Sequence, residues 1–346
     1  GRGMTQLELT YKTSTIGLYR YLDLSQDWMM RKVFLHESRK KLHSVVKEGR
    51  KFANELGMDL EVEFEGEIRI TENAQKLKRI AKTNGTKAFH DTWKGKPLHG
   101  QFALRSQKAD VDSNDTHQWL RSAGLKAETE GFIMAAQDQS LFTRNFQANI
   151  LHNGADPKCR LCDKSTETID HLVSGCSVLA PNEYMNRHNR VGQYIHWKVC
   201  KHFEIETTEK WYEHKPEPVI ENKNVTILWD FSIHTDRTIQ ANRPDIVIKD
   251  KVKRTCQLID MSVPSDNNVS AKEFEKLSKY KDLEIEVSKM WNVRTTTIPV
   301  IIGALGIIKK GTQKHLEKIP GNIPLCELQK IVLNSTAHIL RKVLSI

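Results

Sequence analysis

Apolar residues recur at spacings near three, four and seven through residues 25–56 (Trp28, Val33, Leu35, Leu42, Val45, Phe52, Leu56), which predicts one long amphipathic helix ended by Gly57. Ser25 can cap that helix, and Asp27 suits its positive end. Residues 59–70 alternate (Leu60, Val62, Phe64, Ile68, Ile70) and read as a short hairpin. A second basic helix over 72–82 follows, with Lys76, Lys78, Arg79 and Lys82. Residues 84–116, rich in Gly, Asp, Asn, Ser and Lys without a period, are expected to be a linker. Another helix is expected over 128–151, its stripe formed by Phe132, Ile133, Ala136, Leu141, Phe146 and Ile150.

Beyond residue 224 the pattern changes to short apolar runs at 225–231, 246–248, 257–263 and 298–302. A long charged helix over 270–290 separates the third from the fourth, and two helices follow Gly306 and Pro324. Strands interleaved with helices make this half α/β. The expected organisation is therefore α+β and multidomain: a basic helical region (1–115), a helical region with a compact Cys/His element at 157–178 (116–205), and an α/β domain (206–346).

Length and composition narrow the class. The 346 residues amount to about two domains, and 38% apolar with 28% charged residues excludes collagen-like, low-complexity and wholly disordered chains. The longest apolar run, 298–308, is short of the roughly 18 residues a membrane span needs, so no membrane partner is expected. The chain opens on Gly1 and a basic sequence without a leader, and it reads as a piece of a longer polypeptide. A net charge of +10 favours polyanionic partners. In the first long helix, one face carries Arg31, Lys32, Arg39, Lys40, Lys41, Lys47, Arg50 and Lys51 against Glu37 and Glu48; this face suits a phosphate backbone or plain solvation equally.

Candidate chemistry comes from two constellations. Cys159, Cys162, His171 and Cys176 form C-x2-C-x8-H-x4-C, a complete tetrad of soft or borderline ligands at spacings that suit tetrahedral zinc. With every position taken by protein, the zinc is expected to be structural. His152 and His188 flank the tetrad and read as ordinary surface histidines. In the α/β half, Arg243-Pro244-Asp245 opens one apolar run, and Asp260 ends the next. Pro is tolerated at the mouth of a strand and fixes how Asp245 leaves the backbone. If the runs pair, the two carboxylates converge, and a bound Mg²⁺ would relieve their repulsion while activating water beside a phosphodiester. Lys272, Lys276 and Lys279 share one face of the next helix, where one of them could assist the attacking water.

The order of the zinc tetrad, "ILWDFSIHTDR", "RPDIVI", "LIDMSVPSD", "EKLSKYKDLEIEVSKMW" and "IPVIIGALG" resembles the carboxy-terminal region of non-LTR retrotransposon proteins that use a restriction-enzyme-like endonuclease. The opening "GRGMTQLELTYKTSTIGLYRYL" is similar to sequence just after the polymerase in that family. The resemblance implies a post-polymerase linker, a CCHC zinc knuckle and a nuclease of the PD-(D/E)xK fold. It matches Asp245 to the PD aspartate and Asp260 to the second magnesium ligand. Ser262 stands where the strand lysine is expected, so Lys276 is the favoured catalytic lysine, ahead of Lys272 and Lys279, and Asp266 could be a further ligand. Arg243, Arg31, Lys32, Arg39, Lys40 and Lys41 are the expected nucleic-acid contacts. The implied activity is Mg²⁺-dependent nicking of target DNA to prime reverse transcription. Implied partners are target DNA, element RNA and the polymerase domain of the same polypeptide, and the implied site of action is the nucleus after synthesis in the cytoplasm. No Tyr-x-Asp-Asp polymerase signature occurs in the sequence. The alternative is a zinc-containing nucleic-acid-binding relic with a dead nuclease, which the missing strand lysine favours.

Overall fold

The computed structural model describes residues 6–58 and 74–346 and divides the chain into two compact units, Gly1–Lys96 and Pro97–Ile346. The predicted hairpin over 59–70 lies outside the described residues. No helix among the described residues is long and apolar enough to cross a membrane.

The first unit is helical. It contains α1 (Leu7–Leu24), α2 (Trp28–Arg39), α3 (Val45–Glu55) and α4 (Ala74–Lys94). Ile16, Ala53, Met58, Leu77 and Ala81 form its small core, with α1 packed on α3 and α4. Gly49 and Gly17 permit these approaches, since a Cβ at Gly49 would lie 2.4 Å from Tyr19 Cβ. The single helix expected over 25–56 is two helices. Asp27 caps α2 through the Met29 and Met30 N–H groups, and Ser44 caps α3 through Lys47 N. Ser44 also donates to the Glu37 carbonyl, and His43 adopts a left-handed φ of 42°, so the chain turns between the two periods. The apolar stripe splits accordingly: Trp28, Val33, Leu35 and Leu42 are exposed, and α2 buries nothing. The basic helix expected to end near 82 continues to Lys94.

In the second unit, much of the expected linker is structured. Helices α5 (Gln101–Arg105), α6 (Ser113–Ser122), α7 (Ala127–Gln137), α8 (Arg144–Asn149), α9 (Ile169–Ser174) and α10 (Met185–His202) precede the sheet. The helix expected over 128–151 is interrupted at Gln139, which has φ 56°, and α8 restarts with Thr143 as its cap. Strands β1 (Val219–Glu221), β2 (Val225–Trp229), β3 (Ile246–Asp250) and β4 (Thr255–Ser262) form an antiparallel meander. Helices α11 (Val269–Lys279) and α12 (Lys281–Trp291) then cross over to β5 (Arg294–Ile301), which pairs parallel to β4. The charged helix expected over 270–290 is thus two helices that meet at the buried Tyr280. Pro299 is accommodated because β5 is an edge strand. Helices α13 (Thr312–Leu316) and α14 (Leu325–Leu344) close the chain, as expected.

Alternation along the strands feeds two cores. Val225, Ile227, Ile246, Ile248, Ile259 and Met261 pack with α10, α13 and α14, whereas Val247, Cys256 and Leu258 pack with Leu283 and Val287 of α12. A third cluster joins Cys159, Cys176, Leu172 and Val173 to Ile301, Leu305, Ile339 and Leu340, so the Cys/His element is built into the body of this unit. The mixed α and β architecture expected from the sequence is what the chain adopts.

Candidate zinc centre and carboxylate cleft

A short antiparallel bridge, Lys158 with Thr166, begins the turn that carries the first two cysteines. Cys159 N donates to Ser165 O, Asp163 N donates to Cys159 O, and Asp163 takes a left-handed φ of 53°, which folds Cys162 back toward Cys159. Thr168 caps α9 through His171 N, which places His171 on the first turn with Cys176 just past the helix end. The four ligand atoms lie within 4.8 Å of one another, with Cys159 Sγ 4.0 Å from Cys176 Sγ and Cys162 Sγ 3.4 Å from His171 Nε2. A tetrahedral zinc with Zn–S about 2.3 Å and Zn–N about 2.0–2.1 Å sets such pairs about 3.5–3.8 Å apart. The cluster is therefore compatible with one zinc ion, and both its donor set and its size fit.

The ligand loop is tied down from outside. Glu167, fully buried, accepts from Arg144 N and Arg160 N and pairs with the Arg160 guanidinium at 2.8 Å. Burial opposes its ionisation, yet Arg160 and the two N–H groups outweigh that and hold it below the usual carboxylate range. Arg160 also reaches the Val343 carbonyl of α14, and Arg105 of α5 pairs with Asp170 at 3.0 Å. Tyr184 Oη donates to the Leu172 carbonyl and accepts from Cys176 N.

The carboxylate pair is assembled by the sheet. Ile246 of β3 stands opposite Ile259 of β4, so the next step of the ladder sets Asp245 beside Asp260. Asp245 Oδ2 accepts from Met261 N at 2.6 Å and lies 3.1 Å from His188 Nε2 of α10. Asp260, 2% exposed, accepts from Tyr280 Oη at 2.7 Å through Oδ1 and pairs with Lys276 Nζ at 2.6 Å through Oδ2. Burial, then the Asp245 charge, push its pKa up against the opposing pull of Lys276 and Tyr280. A cleft of about 830 Å³ opens here, walled by His188, Asp230, Arg243, Asp245, Ser262 and Lys272 among others. Asp260 and Lys276 are not part of that wall.

The structure thus brings Asp245, Asp260 and Lys276 together, while Lys272 reaches the cleft and pairs with Glu275, and Lys279 Nζ turns to Tyr280 Oη. Arg243 pairs with Asp230 at 2.7 Å, both about half exposed, a pair weak enough for phosphate to replace. His188, read from the sequence as an ordinary surface residue, is instead a half-buried partner of Asp245. Burial disfavours its imidazolium, but Asp245 and Asn189 overcome this and raise its pKa. No spacing in the sequence links residues 188 and 245; only the approach of α10 to the sheet end does.

Asp266, expected as a possible further metal ligand, is a loop staple. It is 5% exposed and accepts from Leu305 N and Ile307 N, each at 2.9 Å, away from the cleft wall. Burial pushes its pKa up to about 6 against those two donors. Asp266→Asn turns one acceptor into a donor that faces an N–H, and is expected to cost about 1–3 kcal/mol, read as a lower urea midpoint at unchanged m.

On the first unit, Arg39 and Lys41 are exposed with no ion-pair partner among the described residues. Lys40 is paired with Glu37, Arg31 donates to the Asp23 carbonyl, and Lys32 lies 4.4 Å above the Trp28 ring. No protein-family model matches the chain, and no curated protein matches it.

Proposed function

We propose that this chain is a metal-dependent DNA endonuclease module with attached nucleic-acid-binding helices, of the kind that non-LTR retrotransposon proteins carry behind their polymerase. The observation that supports it best is the meeting of Asp245, Asp260 and Lys276 at the ends of two adjacent strands beside a cleft lined by Arg243 and Lys272. Asp245 and Asp260 offer the hard oxygen donors that magnesium prefers. When bound there, magnesium supplies Lewis-acid charge next to the scissile phosphodiester. The protein's own groups do the positioning: His188 and Met261 N orient Asp245, Tyr280 orients Asp260, and Lys276 keeps a cation against the pair. Arg243 and Lys272 stand in the cleft wall where DNA phosphates would pass. The Cys/His element, in this reading, stiffens the wall through the core it shares with Tyr184 and Val263, which line the cleft.

The test is nicking of supercoiled plasmid with Mg²⁺ and with EDTA; nicking in Mg²⁺ alone supports the reading. One observation favours the second reading, a binding module with a dead nuclease: both Asp260 oxygens are already occupied by Tyr280 and Lys276. DNA binding without nicking in any divalent metal would select it.

The exposed basic edge of α2 is proposed to hold phosphates. Arg39→Gln with Lys41→Gln should weaken binding of all sequences alike and reduce the slope of log K against log salt by about 2, close to 0.9 per duplex phosphate contact. Fluorescence anisotropy between 50 and 200 mM salt reads this, and an unaltered slope returns the edge to solvent. Lys40→Gln alone should do less, because Glu37 holds that ammonium.

A further inference from the structure

Helix α10 carries His196 and Cys200 one turn apart on the same face, and the segment ahead of β1 returns to present His214 to them. His196 Nδ1 is 2.8 Å from His214 Nε2, Cys200 Sγ is 3.5 Å from His196 Nδ1, and the three atoms lie within 4.8 Å of one another. All three residues are buried: His196 and Cys200 are 0% exposed and His214 is 6% exposed.

We propose that His196 Nδ1, Cys200 Sγ and His214 Nε2 form a second zinc site, separate from the cysteine-rich knuckle. One thiolate with two imidazoles suits the borderline softness of zinc, and three protein ligands leave one position for water. Each ring gives the metal one nitrogen lone pair, and the Cys200 thiol proton leaves to solvent as the metal binds. His196 Nε2 is buried without a hydrogen-bond partner, and Nδ1 makes the ring's polar contacts, to His214 and Cys200. The ring is therefore oriented from its Nδ1 side alone, the side that faces Cys200 and His214.

The site has a structural task. Trp211 packs edge-on to Tyr194 at 5.6 Å and Gln193 donates to the His214 carbonyl, so the metal would clamp the 211–214 turn onto α10. The Trp229 ring meets His196 at 5.8 Å, and a Cβ at Gly192 would come within 2.7 Å of Met261 and Trp229, so α10 lies hard against the sheet at this point. The same helix carries His188 to Asp245, and Trp229 is in the cleft wall. Zinc here would hold α10 in register with the carboxylates. None of this requires the cleft to be catalytic.

Metal analysis of the purified full chain, expressed with zinc, should give two zinc equivalents. A Cys162→Ser, His171→Ala protein should keep one, and a Cys200→Ala, His214→Ala protein should also keep one. Cobalt substitution in the knuckle variant should give a charge-transfer band from a single thiolate that disappears when Cys200→Ala is added. The wild-type count decides even if the Cys200 variant fails to fold. One zinc per wild-type chain, a knuckle variant that is folded by circular dichroism yet metal-free, or a second equivalent of copper in place of zinc would each overturn the proposal. Nicking activity plays no part in this readout, so its absence would bear only on the endonuclease reading.

Discussion

Asp245→Ala protein is expected to nick supercoiled plasmid in Mg²⁺ at least about 100-fold more slowly than wild type while still binding DNA. Loss of a group that merely orients a metal ligand typically costs 10–100-fold, and Asp245 is proposed as a ligand itself. Its partners after removal are a backbone N–H and a half-buried histidine that reaches solvent, so the fold should persist. Asp260 needs a gentler change. Alanine there would strand Lys276, whose side chain is 15% exposed, as an unpaired cation and would also remove the acceptor of Tyr280. Asp260→Asn keeps one acceptor for Tyr280 Oη but turns its other side into a donor against Lys276 Nζ; it should abolish nicking to the same extent, with circular dichroism confirming that the fold persists. Lys276→Ala should slow the reaction more than Lys272→Ala or Lys279→Ala, because Lys276 alone of the three touches a carboxylate of the pair. Wild-type nicking by the Asp245→Ala protein would remove the endonuclease reading and leave DNA binding as the proposed role.

If the Cys159, Cys162, His171 and Cys176 cluster holds zinc as proposed, removing it should lower the melting temperature of the protein by about 10–20 °C. Binding of structural zinc is worth about 10–16 kcal/mol in small zinc-finger peptides, and here part of that is replaced by packing, because Cys159 and Cys176 belong to a core shared with α14. A net loss of about 5 kcal/mol in a unit of this size corresponds to the stated shift at roughly 2–4 °C per kcal/mol. Cys162→Ser should reproduce the effect of a chelator, and excess zinc should reverse the chelator but not the substitution. A melting curve unchanged by both treatments would show that packing and the Arg160–Glu167 pair hold the turn without metal.

The two constellations differ in how much of them the sequence carries. The Cys/His cluster is local: a turn, a capped helix and its end bring its four candidate ligands together within 18 residues, so spacing alone specifies the cluster. The carboxylate pair needs one further assumption, that the runs around 247 and 258 pair as neighbours, and the register of Ile246 with Ile259 supplies it. His188, Tyr280 and Asp230 have no such signal, since they come to the pair from a helix, a helix junction and a loop. His196 and Cys200 show the i, i+4 spacing of a ligand pair, but His214 completes their set only through the fold.

The helix boundaries show the same division. Periodicity and charge pattern predicted helix over 25–56, 128–151 and 270–290, but each reading ran on through a break, near Ser44, Gln139 and Tyr280, and Trp28, Val33, Leu35 and Leu42 of the first stripe are exposed. A stripe records which face wants burial and not whether the backbone stays continuous, and in α2 the face found no cover among the described residues. By itself the sequence determined the mixed α and β composition, four of the five strands and the Cys/His cluster, because each rests on short-range spacing and backbone preference; β1 (Val219–Glu221) gave no such signal. Only the tertiary structure decided that His188 reaches Asp245, that Asp266 staples a loop, and that α10 serves both the cleft and the His196 cluster. Those outcomes depend on how a helix is rotated and docked on the sheet, and the packing of distant side chains sets that rotation.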